Sequence, residues 1–435
     1  MTGSMLRQQI ADFRRQKLSQ DIAYSLGSFV ILAISGIVIN VVVVATRDTT
    51  ALGVFNLSYA VYITASQFAT AGLHYSVLRH TALHEDSAAQ RGSLFLTAAV
   101  CATALGVASA GFLYLAEPFF ARLFSSDVTG LAIRNAALGL MLFPINKVLL
   151  AYLNGLRRMK AIAVLQSFRY LAIMGLVTAI AGSELAIHTM TYCFVVAEAG
   201  TLVLGLIYLA NRKLVVAPSF SRDWMRRHFT FGAKGLMAGM FVEINSRIDV
   251  LMIGFFMNEQ AVGIYSFAAM LVDGLYHILA MVRINFNPLL VAAVRDGQYG
   301  RIRQLHVQAR RIVLPLMACL AMGLVIAYCA FAFWVVPQKG LMPGVYVLVI
   351  LLAGLVPISF LVPFDNLMMV SGHPGLQTAQ QLVAVGVNVV FAALLLPLMG
   401  IEGAAVGTAI SYVAGILMLL YFANCTLKWN LFAGK

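Results

Sequence analysis

The chain has 435 residues, 61 % hydrophobic and 11 % charged, with a net charge of +13 and a mean hydropathy of +0.88. A soluble domain carries roughly 25 % charged residues, so a water-exposed globule is excluded and a polytopic membrane protein is left. The basic excess is spread in a way that marks membrane orientation rather than nucleic-acid binding, as its distribution below shows.

Residues 1–20 read as a cytoplasmic N-terminal arm. "MLRQQIADFRRQKLSQ" lacks the apolar core of a secretory signal. Leu6, Ile10, Phe13 and Lys17 recur at helical spacing, as in a short interfacial helix. An N-terminal lobe over 21–210 follows, with spans predicted at 21–45, 52–78, 92–115, 131–152, 161–181 and 188–210. Each is near the roughly 20 residues that a spanning helix needs. The longest polar connection, "NRKLVVAPSFSRDWMRRHFTFGAK", supplies a cytoplasmic interlobe linker at 211–229. Phe220 and Trp224 stand there at i,i+4, the pattern of an amphipathic segment lying on the membrane. A C-terminal lobe over 230–423 adds spans at 230–255, 263–289, 312–335, 344–370, 377–398 and 402–423, before a cytoplasmic tail at 424–435. The expected fold class is all-α, with about 12 transmembrane helices in two six-helix lobes.

With residues in the first or last five positions of a span counted with the adjoining loop, 22 of the 30 Lys and Arg fall on the side of the two termini, and 4 (Arg47, Arg122, Arg134 and Lys339) fall opposite. Lys/Arg asymmetry sets orientation, so both termini are expected in the cytoplasm, with some attraction to anionic lipid headgroups. The five cysteines lie in or beside apolar spans without metal-ligand spacing. They read as small core residues, and no metal is expected.

The lobes look related. "ALGVFNLSYA" (51–60) and "AVGIYSFAAM" (261–270) align at an offset of 210, pairing Gly53 with Gly263. "LNGLRRMKA" and "VSGHPGLQT" follow at 217, and "GSELA" and "GIEGA" at 218. Six helices per repeat with a common starting side give a parallel pseudo-symmetric repeat, the architecture of a transporter with its path between the halves.

"RIDVLMIGFFMNEQAVGIYSFAAMLVDGL" resembles the opening of the second lobe in Wzx-type polysaccharide exporters of the multidrug/oligosaccharidyl-lipid/polysaccharide superfamily. "GIEGAAVGTAISYVAGILMLLYF" resembles their last span, and "VSGHPG" the exit of their tenth. The resemblance implies a MATE-like fold in the bacterial cytoplasmic (inner) membrane. It also implies translocation of a polyprenyl-diphosphate-linked oligosaccharide, such as an O-antigen repeat unit, to the periplasmic leaflet by alternating access. Membrane lipids and the polymerase and chain-length proteins of the same pathway are the partners it suggests.

Within the spans stand four bases, Lys147, Arg169, Arg247 and Arg283, and five acids, Glu198, Glu243, Asp249, Asp273 and Asp365. A diphosphate needs several donors converging from different helices, and Arg grips its oxygens bidentately. The four bases are therefore the candidate substrate-binding set, with structural pairing or snorkelling as the alternative. Glu243 and Arg247 stand at i,i+4 in the favourable order for an intrahelical pair, as do Asn245 and Asp249. Asp273 and His277 repeat the spacing and make a candidate proton-coupling pair, with a core histidine as the bland reading. Glu198, and Asp365 beside Pro363, are further coupling candidates. Tyr59, Tyr62, Tyr75, Tyr170 and Tyr265 offer faces for sugar stacking or belong to membrane interfaces.

No nucleophile constellation, P-loop or zinc spacing occurs, so the expectation is a transporter without cofactor, coupled to an H+ or Na+ gradient or to the membrane potential. Two rivals remain. An ion-coupled exporter of cationic drugs would use the acids, whereas a membrane glycosyltransferase or polymerase would need a larger outer loop than 116–130.

Overall fold

The structure, a computed structural model, describes residues 3–84 and 87–427, and every described regular element is a helix. A bilayer demands this of long apolar segments, because a helix satisfies its backbone N–H and C=O groups within itself.

In chain order the helices are α1 (Gly3–Thr46), α2 (Thr49–Thr70), α3 (Leu73–Leu83), α4 (Ala88–Leu115), α5 (Glu117–Leu123) and α6 (Asp127–Leu140). Then come α7 (Phe143–Gly155), α8 (Met159–Ala181), α9 (Tyr192–Asn211), α10 (Arg222–Asn245), α11 (Ile248–Phe256) and α12 (Glu259–Arg295). The series closes with α13 (Tyr299–Ala330), α14 (Gly344–Leu355), α15 (Leu367–Val370), α16 (Pro374–Met399) and α17 (Ile401–Leu427). Among the described residues eight helices are long and apolar enough to cross a membrane, and two bent pairs bring the number to ten. One pair is α6 with α7, bent by 41°, and the other runs from Gly344 to Val370 with a 62° bend. Pro144 opens α7, and Pro357 and Pro363 lie in the second bend, where a missing N–H and a ring clash break the hydrogen-bond ladder.

The other two predicted spans fall on interrupted helices. Between α2 and α3 the backbone turns through positive φ at Ala71 (44°) and Gly72 (69°). Between α10 and α11 the break falls at Ser246 and Arg247, inside the polar stretch of that span. The interfacial helix expected from Leu6, Ile10, Phe13 and Lys17 is continuous in backbone with α1, and those side chains lie outside the described residues.

The chain forms two compact units. The first comprises 1–42, 61–122 and 126–240, and the second 43–60, 123–125 and 241–435. The core of the first unit includes Leu73, Val77, Leu94, Phe95, Tyr152 and Trp224. The predicted linker is stitched to this core. Tyr152 Oη donates to the Leu214 carbonyl at 2.8 Å, the Ser93 and Ser219 hydroxyls meet at 2.7 Å, and Ser221 N–H donates to Thr97 Oγ1 at 3.0 Å. Of the two aromatics expected to lie on the membrane, Phe220 is exposed and Trp224 is not. Trp224 is buried and packs edge-on to His80 and His84, because Trp224, His228 and Gly232 form one inward stripe of α10 at a spacing of four.

In the second unit α16 and α17 pack antiparallel, joined at Gly400 with φ 62°. At the start of α2 and of α12, Gly53 and Gly263 bring two backbones together. A Cβ on Gly53 would strike the Glu259 carbonyl, and a Cβ on Gly263 would strike the Thr49 carbonyl. The contact is reciprocal, and each carbonyl belongs to the residue four positions before the opposing glycine. Small residues at a helix crossing permit this approach and its Cα–H···O contacts. Nearby, Lys339 Nζ donates to the Arg47 carbonyl, and Thr49 Oγ1 donates to the Lys339 carbonyl at 3.3 Å.

Candidate functional site

Each unit holds its own charged cluster. In the first, Arg169 of α8 meets Glu198 of α9 at 2.6 Å, and Glu198 is only 2 % exposed. Asn146 Nδ2 of α7 donates to Glu198 Oε2 at 2.7 Å and to the Glu198 backbone carbonyl at 2.8 Å. Tyr62 Oη of α2 donates to Oε1 at 3.4 Å, and its ring stacks on Phe194 at 4.6 Å. The Phe143 ring carries two cations over it, the Arg169 guanidinium at 5.0 Å and the Lys147 ammonium at 5.3 Å. The ring quadrupole attracts both, so one aromatic helps gather two positive charges that would otherwise repel.

In the second unit Asp249, on the first turn of α11, accepts three hydrogen bonds from three other helices. The donors are Asn388 Nδ2 of α16 at 2.8 Å, Thr408 Oγ1 of α17 at 2.9 Å and Tyr265 Oη of α12 at 2.9 Å. Every donor is neutral, so the carboxylate is solvated by the protein with no paired cation among the described residues. A second cluster joins Arg283 of α12 to Asp365 at 3.1 Å, and Gln380 Nε2 of α16 donates to the other Asp365 oxygen at 2.6 Å. Arg247 stands in the break between α10 and α11, its guanidinium 5.1 Å from the centre of the Tyr59 ring. Its Nε is buried without a hydrogen-bond partner.

These placements correct several sequence expectations. Glu243 and Arg247 do not pair, because the helix ends at Asn245 and restarts at Ile248, so the i,i+4 register between them is lost. Glu243 is exposed and the Asn245 side chain lies outside the described residues. The charge of Arg247 acts on both Asp273 and His277. Asp273 is exposed on α12, and an exposed carboxylate at hydrocarbon depth is tolerated where it meets water rather than lipid. Tyr62 and Tyr265 are fully buried on carboxylates, which removes them as sugar platforms. Asp365 is held by Arg283 and Gln380 rather than standing beside freed carbonyls. Glu198, alone in its predicted span, finds Arg169 in the neighbouring helix.

The sequence reading missed the neutral partners, Asn146, Asn388, Thr408 and Gln380. Their signal is an isolated amide or hydroxyl inside an otherwise apolar run, and nothing in the sequence says which carboxylate each one meets.

The described residues form two helical units, each with charged residues held among long apolar helices. The chain belongs to the polysaccharide biosynthesis protein family, whose model matches residues 18–284. No curated protein matches the chain. Among solved structures, a multidrug resistance MATE family transporter of the MOP superfamily, in an inward-facing conformation, superposes with a TM-score of 0.74 at 15 % identity, over 93 % of this chain and 98 % of its own. The lipid II flippase MurJ, in an inward closed conformation, gives 0.73 at 12 % identity, over 93 % and 87 %. The Vibrio cholerae MATE transporter VcmN gives 0.58 at 13 % identity, over 96 % and 98 %. At these identities the likeness is one of fold, and it establishes the MATE-like all-α architecture.

Proposed function

We propose that this protein is a flippase that carries a polyprenyl-diphosphate-linked oligosaccharide from the cytoplasmic to the periplasmic leaflet by alternating access. The family, the fold shared with a lipid II flippase and the intramembrane arginines support this reading. The observation that carries it is Arg247. Among the described residues, Arg169 and Arg283 have carboxylates within ion-pair distance and Arg247 does not. A partly buried guanidinium with no carboxylate at ion-pair distance is costly, and a cation held ready in a helix break suits a ligand that brings its own negative charge. In the second unit Arg247 takes phosphate oxygens directly, whereas Arg283 must exchange Asp365 for phosphate; in the first unit Arg169 must likewise release Glu198. Lys147 adds charge beside Arg169. The tail of the substrate stays in lipid while its headgroup passes through the protein.

Asp249 is the candidate for coupling. Its neutral cage leaves the carboxylate charge uncompensated, so a proton or a sodium ion is the natural co-substrate, with Asp273 as the accessible acid on the adjacent helix. The same feature favours the second reading, a cation-coupled drug exporter.

Flipping of a lipid-diphosphate-linked oligosaccharide in proteoliposomes, under set pH, sodium and voltage gradients, tests both. Arg247→Ala is expected to lower the rate at least 100-fold and Arg283→Ala at least 10-fold, with insertion and unfolding temperature unchanged for Arg247→Ala. Wild-type rates from Arg247→Ala would remove the phosphate-binding role. Gradient-driven efflux of a cationic dye, with no movement of the lipid, would transfer the assignment to drug export.

A further inference from the structure

The ion pair Arg283–Asp365 and the hydrogen bond from Gln380 form a bridge from α12 to α16 through the 3-10 turn that carries Asp365. Beyond this bridge lie polar atoms that the protein itself leaves unsatisfied. Gln377 is 6 % exposed and Gln380 is 3 % exposed. Gln377 Nε2, Gln377 Oε1, Gln380 Oε1 and Asn287 Oδ1 are buried without a hydrogen-bond partner. A buried amide with neither half satisfied bears its full desolvation cost, and such groups in a folded protein call for an explanation.

Their placement is directional. Gln377 is one turn before Gln380 on α16, and Asn287 is one turn after Arg283 on α12. The two helices run in opposite senses from the bridge, so both orphans step toward the same end of the unit, where α12 finishes and α16 begins. That is the end the basic loops mark as cytoplasmic.

The chemistry of these atoms divides a ligand in two. Three of the four are carbonyl oxygens, which accept hydrogen bonds and repel phosphate; the fourth is an N–H donor. Arg283 offers donors suited to phosphate. The geometry points to a sugar-reading subsite in the second unit. Gln377, one turn along α16 from Gln380, takes a neutral ring substituent, hydroxyl or acetamido, on the sugar next to the diphosphate, while Arg283 takes phosphate. A hydroxyl gives and receives one hydrogen bond through a single oxygen, and an acetamido group matches the Gln377 carboxamide with one N–H and one C=O. The inference rests on the flippase reading and adds to it the part of the glycan that is read.

The test uses three lipids that share one polyprenyl diphosphate: one bearing N-acetylglucosamine, one bearing glucose and one without sugar. Flipping is measured in proteoliposomes, and binding to the detergent-solubilised protein is measured by thermal shift. Gln377→Met keeps the volume and removes both polar atoms, and it breaks no hydrogen bond within the protein. It is expected to raise the half-saturating concentration of sugar-bearing lipid at least tenfold and to leave the bare diphosphate within twofold. A loss confined to the N-acetylglucosamine lipid identifies the acetamido group, and a loss on both sugars identifies a hydroxyl. Gln377→Glu, which keeps the acceptors and loses the donor, is expected to weaken the N-acetylglucosamine lipid most, and it stands in if Gln377→Met does not insert. An equal loss on all three lipids, or none, overturns the subsite. Wild type that binds the sugar-bearing lipids through Gln377 but moves none of them retains the subsite and overturns the flippase reading. Wild type that neither binds nor moves any of them overturns both.

Discussion

Arg169 and Glu198 show what it takes to keep a carboxylate inside an apolar bundle. The acid is bound by a guanidinium at 2.6 Å, an amide at 2.7 Å and a phenol at 3.4 Å. Removing one member of a buried pair strands the other charge, at a cost of roughly 3–5 kcal/mol, whereas replacing both with apolar groups is often neutral. Glu198→Ala should therefore lower the thermal unfolding temperature in detergent more than the double variant Arg169→Met, Glu198→Leu. If the double variant is no more stable than the single one, the two residues do not act as a pair. At this scale the sequence named the charged residues and misassigned their partners. Glu243 looked like the mate of Arg247 because a continuous helix was assumed, and the break at Ser246 and Arg247 removed that register. Cross-helix partners such as Asn388 and Thr408 for Asp249 are set by packing between segments distant in the chain, which local spacing does not encode.

The interlobe segment carries a different lesson at the scale of elements. Its composition suggested a strip resting on lipid, yet the stretch from Leu214 to His228 is laced onto the first unit. His228 is the anchor. Its Nε2 lies 3.2 Å from the Leu94 carbonyl and so must carry the proton, which leaves Nδ1 to accept from Ser76 Oγ at 2.9 Å. Ser76 Oγ is also 3.2 Å from Nδ1 of His80, itself 2.8 Å from the Ser76 carbonyl. Burial pushes His228 down to about 4 from an ordinary value of 6.5, with the Leu94 carbonyl opposing the shift and His80 adding to it. His80 is lowered as well, chiefly by burial and further by Arg79, His84 and Arg227. The docked segment favours the neutral ring, so its stability is complete above pH 6.5, declines below that value and is lost as the pH falls through about 4. The full shift corresponds to about 3 kcal/mol. The hydrogen-exchange protection factors of residues 214–230, corrected for the intrinsic pH dependence of amide exchange, are expected to fall between pH 7.5 and 5, and His228→Asn should flatten that dependence. A wild-type profile without pH dependence would show that the docking does not depend on the neutral ring. The spans themselves were legible because hydrophobic length is read locally. The kinks at Pro144, Pro357 and Pro363 were partly legible from proline alone, and the turn at Ala71 and Gly72 was not.

For the whole molecule, composition places the chain in a membrane, and the Lys/Arg bias predicts its orientation. The basic loops predict that the C-terminal end of α17 faces the cytoplasm. Cys425 is exposed there, so a variant retaining it as the sole cysteine should resist an impermeant thiol reagent in intact cells and react once the membrane is opened. Labelling in intact cells would reverse the topology. The all-α fold was legible from the length of the apolar runs, and its likeness to solved transporters at 12–15 % identity shows how little sequence that architecture requires. What it does require is local shape at a few positions.

Gly53 and Gly263 are two such positions. The alignment of the repeats pairs them, and the fold presses them against each other. A duplicated segment has thus become its own docking partner. A side chain added to either glycine meets the backbone of the other copy, so enlarging one cannot be offset by shrinking its counterpart, which already has nothing to remove. The gene cannot repair the contact by a compensating substitution at the facing glycine. It must keep both glycines or move the helices apart, and this limits how far the two aligned segments can diverge.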